Sequence, residues 1–266
     1  MQPPVLMGIV NVTPDSFSDG GRYLDADRAV IHARTLIDEG AGILDIGGES
    51  TRPGAAPVDA EEELARVLPV IERLVGECDT PISIDTSKAS VARAALAAGA
   101  KIVNDVTGLT GDAEMLPVVA DSECRVCVMH MQGTPRTMQA NPTYDDVVED
   151  VKRYLAERRD ALAATGVAAE RLWLDPGIGF GKSFDHNLEL LRRIDEFHAL
   201  GCEMLVGHSR KRFLGEILGD ADADRTNATV GVALHLAAQG VRVLRVHDVR
   251  PLAEALSGFV AAGGTR

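Results

Sequence analysis

Eight times along the chain a short apolar, β-branched run gives way to a longer amphipathic one, and the alternation does not break. Strand candidates begin near Val5, Gly42, Pro81, Lys101, Arg125, Arg171, Glu203 and Val241. Most are continuously apolar, as parallel strands covered on both faces should be. Helix candidates span 26–39, 60–75, 90–98, 145–165, 185–200 and 250–262. Gly40, Gly99, Gly166, Gly201 and Gly240 follow amphipathic runs, at the position where a left-handed residue closes a helix. Eight such units in 266 residues favour closure into one single-domain (β/α)8 TIM barrel over 1–266, ahead of an open doubly wound sheet. Long loops are expected after strands 1, 2 and 5, and loops of that size at a barrel's C-terminal mouth commonly carry function.

Charge narrows the ligand. Asp and Glu outnumber Lys and Arg by 40 to 27, giving a net charge of -13 that argues against nucleic acid and acidic membranes. An anion would have to bind in a local basic pocket. Cys78, Cys124, Cys127 and Cys202 are too scattered for a disulfide framework, which fits a reducing cytoplasm. Cys124 and Cys127 share metal-like spacing, but three residues along a strand places them on opposite faces. The opening residues show neither a cationic leader nor an apolar span.

The strand ends carry polar residues: Asn11, Asp45, Glu49, Asp85, Asn104, Asp105, His130, Asp175, the run 207–211, Arg245 and His247. Any one could be a satisfied core group. Burying the whole set at one rim without partners would cost ~1 to 3 kcal/mol each, so a shared ligand is the more economical reading. Asp85, Asn104 and Asp175 offer acceptors, while Lys211, Arg245 and His247 follow strands seven and eight, where barrels often hold phosphate. A ligand with a donor-rich head and an anionic tail would match. The segment Asp175-Pro-Gly-Ile-Gly-Phe-Gly-Lys-Ser imitates a nucleotide P-loop, but Gly177 stands one residue too close to Gly181-Lys182-Ser183. It reads better as a tight turn bringing backbone near a ligand.

The segments Asn11-Val-Thr-Pro-Asp-Ser-Phe-Ser-Asp-Gly-Gly and Asp45-Ile-Gly-Gly-Glu-Ser-Thr-Arg-Pro-Gly resemble the two signatures of the dihydropteroate synthases. Ser83-Ile-Asp-Thr, Val103-Asn-Asp-Val, Leu174-Asp-Pro-Gly-Ile-Gly-Phe-Gly-Lys, Ser209-Arg-Lys-Arg-Phe and Arg245-Val-His-Asp-Val agree in order and spacing. The resemblance implies Mg²⁺-dependent condensation of 6-hydroxymethyl-7,8-dihydropterin diphosphate with 4-aminobenzoate. It implies that Asp85, Asn104, Asp175 and Lys211 bind the pterin and that Asn11, Arg52, Arg245 and His247 bind the diphosphate, with Asn11 also on the metal. Catalysis would rest on Asp85, Asp175, Lys211 and Arg245. Phe17, Asp19, Thr51, Arg52 and Pro53 would lie in the loops that build the aminobenzoate pocket. One departure is His208, where many relatives carry a smaller residue; with Arg212 it bears on the shape of the aminobenzoate entrance.

A diphosphate on a methylene beside an electron-rich ring can leave before the amine attacks, so no covalent nucleophile is assigned. A methyltetrahydrofolate methyltransferase barrel would share Asp85, Asn104 and Asp175 but has no use for the diphosphate cluster. A pterin-binding relative without activity would be expected to lack Phe17, Thr51 or Arg52. The apolar surface of 229–238 and 253–262 predicts a homodimer.

Overall fold

The computed structural model describes residues 3–13, 22–51 and 54–264. Eight parallel strands close into one barrel in chain order: β1 Val5–Asn11, β2 Ile43–Gly47, β3 Ile82–Asp85, β4 Ile102–Asp105, β5 Arg125–Met129, β6 Leu172–Asp175, β7 Glu203–Gly207 and β8 Val243–Val246. Around them run α1 Arg22–Asp38, α2 Ala60–Glu77, α3 Ala89–Ala97, α4 Met115–Ala120, α5 Val147–Ala164, α6 Phe184–Arg192, α7 Arg212–Leu218, α8 Thr226–Ala238 and α9 Val249–Ala261.

All eight strands start within two residues of their expected positions. Gly40, Gly99, Gly166, Gly201 and Gly240 all adopt the positive φ expected of helix-closing residues. Two short helices, α4 and α7, are too brief to show a period in sequence. The expected helix over 185–200 is divided. Arg193 leaves helical geometry, and its guanidinium ties to Glu196 and across to Asp146, the N-cap of α5. The rest of that segment, Ile194–Leu200, winds as a tighter 3-10 helix.

Strand register sorts the inward residues into levels. Followed once around through the paired residues, the register returns from Asn11 to the level of Pro3, an eight-residue stagger that tilts every strand. Because side chains alternate along a strand, each level takes its residues from alternate strands. Ile43, Ile102, Trp173 and Val243 form the lowest full layer, and Met7, Ser83, Cys127 and Leu205 the next. All but Ser83 belong to one buried apolar cluster inside the barrel. The helices cover a separate and larger core outside the strands, to which Cys124 belongs, so Cys124 and Cys127 do face opposite ways. The cysteines are free.

Candidate active site

The third layer inside the barrel is polar throughout: Asp45, Asn104, Asp175 and Arg245, one from each even strand. Asp45 is fully buried. Its Oδ2 accepts from Arg245 Nε at 2.5 Å and from Asn104 Nδ2 at 3.1 Å. Arg245 Nη2 reaches up to Asp85 Oδ2 at 2.6 Å. Asp85 belongs to the next layer toward the mouth, with Ile9, Met129 and Gly207. Two carboxylates thus share one guanidinium. Burial pushes the Asp85 carboxyl up to about 7, against the pull of Arg245 and helped by the charge of Asp45. The sequence suggested an acceptor side and a separate basic side, but Arg245 lies between the carboxylates and joins the two.

The turn after β6 supplies the other wall. Gly177 N donates to Asp175 Oδ1 at 2.7 Å, which leaves the second carboxylate oxygen for a ligand. Burial raises the pKa of Asp175, with Lys211 the strongest opposing charge. Gly177 takes φ +69, and a Cβ there would fall 1.9 Å from the His130 carbonyl oxygen, so only glycine can make this turn. Lys211 crosses from the end of β7 onto the same turn. Its Nζ donates to the Ile178 carbonyl and lies 4.1 Å from the centre of the Phe180 ring. Burial lowers its pKa to about 7, opposed by Asp175.

At the rim, Ser209 Oγ accepts the His247 backbone N–H at 3.2 Å and lies 3.1 Å from His247 Nδ1, which holds the imidazole against the end of β7. Arg210 is engaged by Asp248 through Nε at 2.8 Å. Asn11 ends β1, half-buried, and pairs along the backbone with Gly47. The loop after β2 is tied down by Lys88, which donates to Glu49 at 2.5 Å and to the buried Glu63 at 2.6 Å, while Glu49 accepts Val58 N at 3.1 Å. Thr51 stands half-buried in that loop. Phe17, Asp19, Arg52 and Pro53 lie outside the described residues.

Several polar residues at strand ends serve the scaffold. Asp105 caps its own turn, accepting from Thr107 N, Thr107 Oγ1 and Leu109 N. His130 Nδ1 accepts from buried Lys182 at 3.0 Å, and burial drives the imidazole pKa down to about 3. Lys182 also donates to the Phe180 carbonyl at 2.9 Å, so the lysine of the P-loop-like segment points inward and no phosphate cradle forms there. His208 is wholly buried and donates through Nε2 to Thr229 O at 3.0 Å. Its ring is therefore held against α8 and does not reach the surface. Arg212 is surface-exposed and pairs with Glu216.

Sequence reasoning counted Asp45 among the polar strand ends but gave it no role of its own, and it passed over Phe180 as a site residue. Asp45 had a signal: it is the one charged residue in the apolar run Ile43–Gly47 and shares its facing with Ile43. A depression of about 590 Å³ opens at the opposite mouth over Ile43, Ile102 and Trp173. Its floor is the apolar layer, with no convergence of buried polar groups, so the chemistry belongs to the other end.

A closed barrel with a polar layer under its C-terminal rim defines an enzyme for a small, polar, anion-bearing ligand. Residues 7–247 match the pterin binding enzyme family. The dihydropteroate synthase of Escherichia coli strain K12 is 47% identical over 253 residues, covering 95% of this chain and 89% of that protein. Xanthomonas albilineans dihydropteroate synthase with 4-aminobenzoic acid superposes with a TM-score of 0.92 at 47% identity, covering 100% and 95% of the two chains. The same enzyme in complex with 7,8-dihydropteroate gives 0.89 at 44%, covering 100% and 95%. The chain belongs to the pterin-binding enzymes and, within them, to the dihydropteroate synthases, transferases that join 6-hydroxymethyl-7,8-dihydropterin diphosphate to 4-aminobenzoate with release of pyrophosphate.

Proposed function

We propose that the polar layer is the pterin seat and that the rim above it holds the diphosphate. The observation that carries this reading is the fully polar third layer, set at the C-terminal ends of the strands with Lys211 beside it. A pterin presents adjacent N–H donors, which Asp175 accepts through the oxygen that Gly177 leaves open. Asn104 offers its carboxamide oxygen and Lys211 donates to ring acceptors. Asp85 accepts at the level above.

Arg245 uses Nε and Nη2, one edge of its fork, on Asp45 and Asp85. Nη1 is left for an anion, and His247 stands beside it at the rim. These donors stabilise the diphosphate as its C–O bond breaks, and the ring-stabilised cation is then attacked by the aminobenzoate amine. Asn11, Arg52 and the loop residues Phe17, Asp19, Thr51 and Pro53 complete the diphosphate and aminobenzoate sites above.

Among the described residues no group of three or more His, Cys, Asp or Glu side chains could hold a metal. Mg²⁺ would instead arrive with the diphosphate, and the side-chain amide oxygen of Asn11 at the end of β1, a hard donor, would help to hold it beside phosphate oxygens and water. Bound Mg²⁺ would offset charge on the departing pyrophosphate.

A homodimer is the proposed assembly. Ile217 and Leu218 stand exposed on α7, and a groove of about 270 Å³ lies between α6 and α8, lined by Leu188, Leu191, Arg192, Gly231, Val232 and His235. Among the described residues no helix is long and apolar enough to cross a membrane, and the free cysteines suit the cytoplasm.

The test is incubation with pterin diphosphate, 4-aminobenzoate and Mg²⁺, following dihydropteroate and pyrophosphate. Product should form with the parent and, at subsaturating pterin diphosphate, roughly a hundredfold more slowly with Asp175→Asn. Equal turnover by that variant would remove the polar layer from the reaction.

A further inference from the structure

The fully buried carboxylate of the polar layer, Asp45, has no ligand-facing task in this mechanism. Its Oδ1 has no hydrogen-bond partner. Two residues earlier on the same strand, the equivalent inward position is Ile43. An apolar residue at 45 would continue that packing, and buried ion pairs seldom stabilise more than well-packed apolar groups. What distinguishes Asp45 is the pair of donors on its Oδ2, because Asn104 and Arg245 serve different halves of the ligand.

We propose that Asp45 is a positioning residue that sets the orientation of both Asn104 and Arg245 and so couples the pterin seat to the diphosphate site. This rests on the reading above that Asn104 meets the pterin and Arg245 the diphosphate. A carboxamide can present either end to a ligand. By accepting from Nδ2, Asp45 commits that end of Asn104 to the protein and leaves Oδ1 to face the cavity as an acceptor for a pterin N–H. By accepting from Nε, it commits the inner edge of the Arg245 fork, Asp85 completes that edge, and Nη1 is aimed at the anion. The shared oxygen makes the two orientations interdependent, since moving either donor changes the acceptor the other relies on.

The near-isosteric Asp45→Asn removes the charge and lets position 45 donate as well as accept. Calorimetry with 6-hydroxymethylpterin alone, and separately with pyrophosphate and Mg²⁺, should show each affinity lower by roughly tenfold, although the two probes occupy different parts of the site. Under saturating pterin diphosphate, kcat should fall while KM for 4-aminobenzoate stays near its parent value, a split that general loosening of the barrel would not give. If Asp45→Asn binds both probes as the parent does, the proposal is overturned. Should that variant fail to fold, a double-mutant cycle on the Asp45 protein decides. Asn104→Ala and Arg245→Lys should each lower kcat/KM, and the double variant should differ from the product of the single effects by roughly fivefold or more. Strict multiplicativity overturns the coupling through Asp45. Single variants that both keep full activity overturn the site reading itself.

Discussion

The Cβ that Gly179 lacks would lie 2.6 Å from Lys211 Cδ, inside any tolerable contact, and Gly179 adopts φ +82. The lysine stem therefore runs across the face of the β6 turn because a glycine leaves it room. Gly179→Ala should displace Lys211 and strain the turn, costing ~1–3 kcal/mol of stability. The KM for pterin diphosphate should rise roughly tenfold through the lost lysine contact. Urea unfolding and steady-state kinetics check both parts, and an unchanged KM would free Lys211 from any pterin role.

Asp175→Asn should separate binding from stability. One carboxylate oxygen is taken by Gly177 N, and the remaining one cannot be replaced by an amide end that donates. Burial already raises the pKa of this carboxyl, so the neutral variant relieves a desolvation cost. Pterin affinity should drop roughly a hundredfold, about one charge-assisted hydrogen bond, with no loss of thermal midpoint. Normal binding measured by calorimetry would falsify the assignment of Asp175.

Lys211 gives the empty protein a pH signature. Its pKa falls from 10.5 in the unfolded chain to about 7 in the fold. Between those values the unfolded state binds more protons, so this group makes stability rise with pH. Below about 7 the ammonium is charged in both states and its burial penalty is complete. Lys211→Met should therefore exceed the parent in stability most at and below pH 7, with the margin shrinking toward pH 10. Urea titrations at pH 6.5, 8 and 9.5 test the trend, and a margin that widens with pH contradicts it.

Aminobenzoate should bind weakly until pyrophosphate with Mg²⁺, or the diphosphate substrate, is present. Residues 13–25 contain Gly20-Gly21 and several short polar side chains, and 50–57 hold Pro53-Gly54-Ala55-Ala56, so neither stretch can build a large apolar core of its own. A charged centre would gather Asn11, Asp19, Ser50 and Arg52 and bring Phe17 and Pro53 together around the ring. Aminobenzoate titrations with and without Mg²⁺ and pyrophosphate provide the comparison. Equal affinity in both would remove the ordering.

Light scattering should find a dimer at micromolar concentration. Ile217 is 47% exposed and Leu218 46%, side by side on α7. Ile217→Glu should push the equilibrium toward monomer without altering the barrel, as read by circular dichroism. A monomeric parent would contradict the assembly.

The sequence by itself determined the parts with local causes. Strand starts followed from apolar runs, helix ends from Gly40, Gly99, Gly166, Gly201 and Gly240, and inward facing from the two-residue period that places Asp45 with Ile43 and Asp175 with Trp173. The signature segments carried the family. What the period cannot supply is height within the barrel. That depends on the eight-residue stagger accumulated over eight strand pairings, each a contact between distant parts of the chain. Only the closed barrel sets Arg245 against Asp45, 200 residues away, and on the same level as Asn104 and Asp175. Likewise only packing decided that Lys182 and His130 satisfy one another in the interior, since a lysine after three glycines reads equally well as a phosphate ligand until its surroundings are known.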